Sequence, residues 1–369
     1  MRPTVAEVSL AALGDNCRQA RELVGSGVDV MAVVKADAYG HGAVAAARAF
    51  VTGGAAALGV STVEEGVELR RAGITAPIVV LGGVFRGEGA AVAEHALEAA
   101  VWSLGCARAL AAAGPVAVHV KIETGMGRLG IDPADARAFG EALRGIDGLK
   151  IRGVFSHLAS ADAVDTAAAR AQIARFRDAV AALAAGGVRP PLVHLANSAA
   201  VLCEPAAHFT MVRPGLMLYG YAPAPHLAVR AQLRPAMHLR TAVAQARRVP
   251  SGTPVGYGGT FVTARPSTIA VLPIGYADGY HRLASNRAQV LVRGRRVPVA
   301  GRVCMDHTMV DVTDMGEVAA GEPVVLFGAQ DGTTLGADEL AGWCDTIPYE
   351  MLTAVGRRVP RRYVEADRA

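Results

Sequence analysis

Eight short apolar runs, each leaving through polar or glycine-bearing residues, constrain this chain more than any single motif does. They are Val28–Lys35, Ala56–Val60, Pro77–Leu81, Ala100–Ser103, Val116–Glu123, Ile151–His157, Leu192–Asn197 and Thr210–Arg213. Most are separated by segments with helical patterning, such as 62–72, where Val63, Val67 and Leu69 sit among glutamates and arginines, and 165–185. Eight strand–helix units predict a parallel (β/α)8 barrel. Chemistry in such barrels gathers at the carboxyl ends of the strands. Lys35 ends the first run, Arg128 follows the fifth, His157 ends the sixth, Asn197 and Ser198 lie at the end of the seventh, and Arg213 ends the eighth.

The pattern changes after about residue 234. Alternating, β-branched segments follow at 268–273, 288–292, 297–303, 308–312 and 323–327, with little helical periodicity before Gly336. These predict a mainly antiparallel β domain over 235–369, after a barrel over 10–234. A length of 369 residues suits one barrel of roughly 250 residues with a smaller second unit.

Composition excludes several classes. Hydrophobic residues make up 52% and charged ones 19%, enough for a core, and no apolar run reaches the length of about 18 residues that a membrane helix needs. The first residues, Met-Arg-Pro-Thr-Val-Ala-Glu, lack the apolar stretch of a signal peptide, so the expected location is the cytoplasm. Cysteines 17, 106, 203, 304 and 344 are odd in number and form no Cys-x-x-Cys pair, which predicts free thiols and no metal site. A net charge of +4 with scattered arginines gives no support for nucleic-acid binding.

The chemistry begins with Ala-Val-Val-Lys-Ala-Asp-Ala-Tyr-Gly-His-Gly, residues 32–42, which leaves one lysine at the end of an apolar strand. Partial burial lowers an ammonium pKa, and a neutral amine is the form that attacks an aldehyde. A second string, Val-His-Val-Lys-Ile-Glu-Thr-Gly-Met-Gly-Arg-Leu-Gly at 118–130, has neither the Gly-Lys-Ser/Thr of a nucleotide loop nor dinucleotide glycine spacing. Further strings are Phe-Ser-His-Leu-Ala at 155–159, His-Leu-Ala-Asn-Ser at 194–198, Met-Val-Arg-Pro-Gly-Leu at 211–216 and Gly-Tyr-Gly-Gly-Thr-Phe at 256–261. Gly-Arg-Val-Cys-Met-Asp at 301–306 and Ile-Pro-Tyr-Glu at 347–350 complete the set. By glycine content alone, 256–261 reads as a hairpin or bulge. Lone histidines read as core residues, and Met305 and the tyrosines as packing.

Together, in this order, the strings resemble those of alanine racemases, from Lys35 to Tyr349. The resemblance implies a homodimeric isomerase that interconverts L- and D-alanine and supplies D-alanine for peptidoglycan. Lys35 would form a Schiff base with pyridoxal 5'-phosphate, and Tyr39 would reach the phosphate. Arg128 would lie beside the phenolic oxygen and the substrate carboxylate, and Lys121 matches a lysine reported as carbamylated. Arg213 would face the pyridine nitrogen, with His157 packed on the ring and bonded to Arg213. Ser198, with the backbone after Gly215, would hold the phosphate, Asn197 would join the cofactor-binding residues, and Tyr349 would also bond the phosphate.

Tyr257 would be the second base, Met305 would line the substrate site, and Tyr276 with Tyr349 would narrow the entrance. The strand at about 4–9 would join the β domain, which would contribute Tyr257 and Met305 to the partner subunit's site. An arginine at the pyridine nitrogen leaves the ring a shallow electron sink, which suits racemisation. Tyr257 would need a lowered pKa, which a cationic network such as His157 and Arg213 would supply. Two alternatives stay open. One is an amino-acid decarboxylase of the same architecture, typically with glutamate at the pyridine nitrogen. The other is a non-catalytic cofactor-homeostasis protein, which would lack the second domain.

Overall fold

The computed structural model describes residues 2–365. Strand β1, Val5–Ser9, comes first. The barrel strands follow as β2 (Asp29–Val33), β3 (Ala57–Val60), β4 (Ile78–Val80), β5 (Glu98–Val101), β6 (Val116–Lys121), β7 (Leu149–Phe155), β8 (Leu192–His194) and β9 (Met211–Val212). All eight pair in parallel, and β9 closes the ring on β2 through Asp29↔Met211 and Val30↔Val212. Buried on both faces, β3 and β4 are apolar without alternation, as strands between a core and covering helices must be. Met31, Ala57, Val79 and Met211 fill part of the interior.

The helix at Val63–Arg71 illustrates how the crossovers are fixed. Thr62 and Glu65 form a capping box, with acidic residues in the first turn and arginines in the last, where the helix dipole favours each. One boundary differs from the apolar pattern. Strand β5 starts at Glu98, two residues before the predicted run, because His119 on β6 takes the carboxylate into the barrel at 2.6 Å.

The second unit is built from β10 (Met237–Ala242), β11 (Gln245–Val249), β12 (Pro254–Val255), β13 (Phe261–Val262), β14 (Ser267–Leu272), β15 (Gln289–Val292), β16 (Arg295–Pro298), β17 (Thr308–Asp311), β18 (Pro323–Gln330), β19 (Thr333–Leu335) and β20 (Arg361–Val364). Its largest sheet runs β16-β15-β18-β10-β1-β20, with β19 paired to β18; β11-β14-β17 and the β12-β13 hairpin lie apart. All pairings in this unit are antiparallel except β1 with β20. Val249, Val255, Ile269 and Ala300 form one of its apolar clusters.

The predicted strand 297–303 is placed differently. Arg293 and Gly294 both adopt positive φ, a hairpin turn that starts β16 at Arg295, whose charge stays in solvent. Residues 299–303 carry only an isolated bridge, Val299↔Val310.

By its contacts the chain divides into two compact units. The barrel unit holds Leu13–Ala38 and Ala43–Arg234; the other holds the chain up to Ala12, Tyr39–Gly42 and everything described from Pro235 onward. Residue 1 and residues 366–369 of the expected second domain lie outside the described residues. No helix among the described residues is long and apolar enough to cross a membrane.

Candidate active site

Lys35 follows β2 after one residue and opens a turn of unusual hand. Ala36, Asp37, Ala38 and Tyr39 all have φ between 51° and 53°, in the left-handed region. Each L-residue there costs about 1–2 kcal/mol, so the turn must be held from outside. Glu65 does part of this: its Oε1 accepts the Ala36 N–H at 2.7 Å and its Oε2 accepts Ser61 N–H at 2.7 Å. Asp37 accepts Ala43 N–H at 2.7 Å, and Ala38 N–H reaches Val34 C=O at 2.9 Å. Although Lys35 is exposed by area, the surrounding protein lowers its amine pKa, with the Arg128 charge acting the same way and Glu65 opposing both.

Arg128 stands on the loop after β6, and Glu123 organises that loop. Its carboxylate accepts the N–H groups of Gly125 and Met126 at 2.5 Å and of Arg128 at 3.1 Å. Burial works to raise the Glu123 pKa, but these backbone donors hold it below the ordinary value. Gly130 closes the loop, since a Cβ there would lie 2.4 Å from Glu123 N and its φ is +134°. Lys121 is buried, with its Nζ 4.5 Å from the centre of the Phe155 ring. Burial, then the charges of Arg213 and Arg128, push its pKa well down.

Arg213 is buried behind this group. Its Nη1 donates to His194 Nδ1 at 3.0 Å, and its Nη2 donates to the carbonyls of Ser156 at 2.5 Å and Leu195 at 3.2 Å. His157 Nδ1 lies 3.5 Å from Nη2, the longest of these contacts. Burial and the Arg128 charge bring the guanidinium pKa down to about 9. The sequence suggested His157 as part of a cationic network. Instead, burial and the charges of Arg213, Lys121, Arg128 and Lys35 keep its imidazole neutral at pH 7.

Ser198 Oγ accepts the N–H groups of Gly215 at 2.9 Å and Met217 at 3.3 Å, leaving its own proton to donate. Asn197 acts locally, its Oδ1 capping the short helix Ser198–Cys203 by accepting Ala200 N–H at 3.1 Å.

Other candidate residues lie in the second unit. Tyr39 and Tyr349 bring their rings to 5.8 Å, and burial followed by the neighbouring Tyr349 raises the Tyr39 pKa. Tyr257 lies on the turn between β12 and β13 and is 71% exposed, with Met305 at 52% and Tyr276 at 42%. Gly256 sets that turn at φ +70°, where a Cβ would lie 2.8 Å from Met309 Cε. Backbone bonds Tyr276 N–H to Cys304 C=O and Ala277 N–H to Met305 C=O hold Tyr276 beside the Met305 segment. The barrel brings Lys35, Lys121, Arg128, His157, Ser198, Arg213 and Gly215 together at the strand ends. Glu65 and Glu123 were not singled out from the sequence. Glu65 was legible as the last residue of Thr-x-x-Glu, and Glu123 as an acid preceding a glycine-rich loop with unpaired amides.

A closed parallel barrel presenting a partly desolvated lysine among arginines, beside a hydroxyl ringed by backbone amides, defines the class as an enzyme that handles anionic ligands through an amine. The sequence matches the family models for the N-terminal domain of alanine racemase over residues 8–223 and the C-terminal domain over 236–363. It is 48% identical over 368 residues to the alanine racemase of Symbiobacterium thermophilum, covering 98% of this chain and 97% of that one. Against the enzyme of Geobacter sulfurreducens it is 44% identical over 372 residues, covering 98% and 97%. Among solved structures, the alanine racemase of Bacillus anthracis with bound L-Ala-P superposes with a TM-score of 0.94 at 36% identity, covering 99% of this chain and 95% of that one. The biosynthetic alanine racemase of Pseudomonas aeruginosa gives 0.89 at 40% identity, covering 99% and 100%. The chain belongs to the alanine racemase family.

Proposed function

We propose that this protein interconverts L- and D-alanine with pyridoxal 5'-phosphate, as a homodimer with shared sites. The observation that carries this reading is the convergence of Lys35, Lys121 and Arg213, each with its basicity lowered chiefly by burial, on Arg128, whose charge lowers all three further. Such a cluster is relieved by anions, and a phosphorylated aldehyde with an amino-acid carboxylate supplies them. The donor set fits the cofactor: a partly desolvated amine, a hydroxyl ringed by two amides, and a buried arginine whose Nε–H meets no protein acceptor among the described residues.

Lys35 would anchor the aldehyde, Ser198 with the amides of Gly215 and Met217 would take the phosphate, and Tyr39, Asn197 and Tyr349 are assigned to the same group. Arg213 would face the ring nitrogen as a donor that cannot hand over a proton at neutral pH, and His157, being neutral, would pack beside the ring without protonating it. Once held, the cofactor supplies an aldehyde carbon and an electron-withdrawing ring that acidifies the α-hydrogen of the amino acid. Arg128 would orient the substrate carboxylate as a bidentate donor. Lys35 would exchange the proton on one face of the α-carbon, and Tyr257 of the partner subunit would exchange it on the other. Met305 would limit side-chain size, and Tyr276 with Tyr349 would narrow the entrance. Burial pushes the Lys121 pKa well below the ordinary lysine value, which favours the neutral amine that takes up carbon dioxide; the resulting carbamate would hold Arg128. An acid, not an arginine, at the ring nitrogen would have favoured the decarboxylase alternative.

A racemase assay on purified, cofactor-loaded protein with a panel of L-amino acids tests the reading. Dominant turnover of alanine is expected, and faster turnover of large or charged side chains would overturn it. Shared sites are tested by mixing Lys35→Ala with Tyr257→Phe chains under subunit exchange. Random pairing leaves one good site in two for half the dimers, so recovery should approach roughly a quarter of wild-type activity. No recovery after confirmed exchange would place Tyr257 in its own chain's site.

A further inference from the structure

Behind Arg213, three titratable side chains outside the proposed site form a continuous hydrogen-bonded line through the barrel. Arg213 Nη1 meets His194 Nδ1 at 3.0 Å, His194 Nε2 meets His119 Nδ1 at 2.8 Å, and His119 Nε2 meets Glu98 Oε2 at 2.6 Å. Both histidines are fully buried. The other oxygen of Glu98 faces Arg152 Nε at 3.9 Å.

Only one arrangement of protons satisfies the line. Arg213 can only donate, so His194 Nδ1 must accept, and a neutral His194 then carries its proton on Nε2. That proton requires His119 Nδ1 to accept, so His119 also carries its proton on Nε2 and gives it to the carboxylate, which can only accept. An imidazolium at His119 would donate from Nδ1, force the His194 proton onto Nδ1, and set two donors against each other at Arg213. Burial and the Arg213 charge keep His194 neutral, and the hydrogen bond from His119, with the charges of Arg152 and Lys150, holds Glu98 ionised against its own burial.

The backbone makes room for this line. His119 on β6 and His194 on β8 must meet across β7, and the β7 residue paired with His119 is Gly153, where a Cβ would sit 2.1 Å from His119 Nδ1, while His194 pairs with Phe155. The register between β6 and β7 also shifts between Val118 and His119. His194 is held further by stacking on Phe155, with ring centres 5.0 Å apart and planes 2° from parallel.

We infer that Glu98, His119 and His194 are positioning residues that fix the direction of the Arg213 guanidinium from within the barrel, with Glu98 as its remote counter-charge. This rests on the reading of Arg213 as the group facing the cofactor's ring nitrogen. The relay stops the guanidinium from turning away, and a tautomerically fixed imidazole gives it one acceptor in one place.

The test has two arms. In histidine-labelled protein, long-range 15N–1H correlation spectra should show His119 and His194 each protonated on Nε2 alone. Protonation of His194 on Nδ1, or a doubly protonated His119, overturns the relay whatever the enzyme catalyses. In the cofactor-loaded enzyme, His119→Leu should lower kcat about 10- to 100-fold with KM for alanine within about threefold, raise the ratio of pyruvate formed to alanine racemised, and mix the His194 tautomers; His119→Gln, which can donate and accept at once, should recover most of the loss. Where His119→Leu does not fold, Glu98→Gln carries the arm, because it keeps an acceptor and removes only the charge. It should lose about tenfold in kcat at an unchanged KM. Wild-type kcat and pyruvate ratio in these variants overturn the positioning role. A wild-type protein that does not racemise alanine with its cofactor bound overturns the function reading and leaves the spectroscopic result standing.

Discussion

The carboxylate of Glu65 accepts the N–H of Ala36 at 2.7 Å and that of Ser61 at 2.7 Å, so one side chain ties the residue after Lys35 to the start of the neighbouring helix. Glu65→Ala removes bonds to a charged acceptor and a helix cap together, and should cost about 1–3 kcal/mol in urea unfolding. Removing the one acid that supports the Lys35 charge should also lower the lysine pKa further. An unchanged unfolding midpoint would show that the turn is held elsewhere.

Lys35 should be the residue that carries the cofactor. Borohydride treatment of the yellow protein should fix the adduct to the peptide containing Lys35, and Lys35→Ala should lose at least about 1,000-fold in turnover, because anchor and base go together. Recovery of the adduct on another lysine would reassign the site.

At Arg213 the expected change is one of product. Arg213→Glu places an acid where the ring nitrogen is proposed to lie, and the share of turnovers ending in pyruvate should rise at the expense of racemisation. An unchanged partition would mean that this position does not set the depth of the electron sink.

Tyr257→Phe should impair proton exchange from L-alanine more than from D-alanine. Loss of one positioned acid–base group costs about 100- to 10,000-fold, or roughly 3–5 kcal/mol in the barrier. Solvent-deuterium exchange measured separately for each enantiomer provides the check, and equal, slight slowing of both would remove Tyr257 from the mechanism.

Lys121 should leave a mark on stability. Its folded pKa lies well below the ordinary lysine value, chiefly through burial. Between that depressed value and about 10.4 the unfolded chain holds a proton that the folded chain lacks, so stability rises with pH across this window. Urea midpoints of cofactor-free protein in carbonate-free buffer should climb with pH, and Lys121→Met should flatten the climb. Parallel curves for the two proteins would show that the amine stays charged.

Much of this was legible in the sequence for a simple reason. A barrel strand covered on both faces must be apolar, so a charged or polar residue at its end, such as Lys35 or Arg213, stands out. Where a polar residue entered the interior, the same rule failed: Glu98 fell two residues outside the predicted run, although His119 draws it inside. Strand β11, Gln245–Val249, was missed because only Val249 is buried and its arginines face outward. The hand of the turn after Lys35 could not be read either, since four successive non-glycine residues of positive φ contradict local preference.

That turn inverts the ordinary rules of substitution. In a right-handed helix alanine is the most favourable residue and glycine weakens the structure; at Ala36 and Ala38, glycine or a D-amino acid is the residue the backbone would accept with least resistance. Natural L-alanine therefore works there as a loaded spring, kept closed by the acceptors around it. A scan of this segment ranked by helix propensity would point in the wrong direction, and semisynthesis with D-alanine at position 36 offers a way to relax the backbone beside the lysine without changing a single functional group.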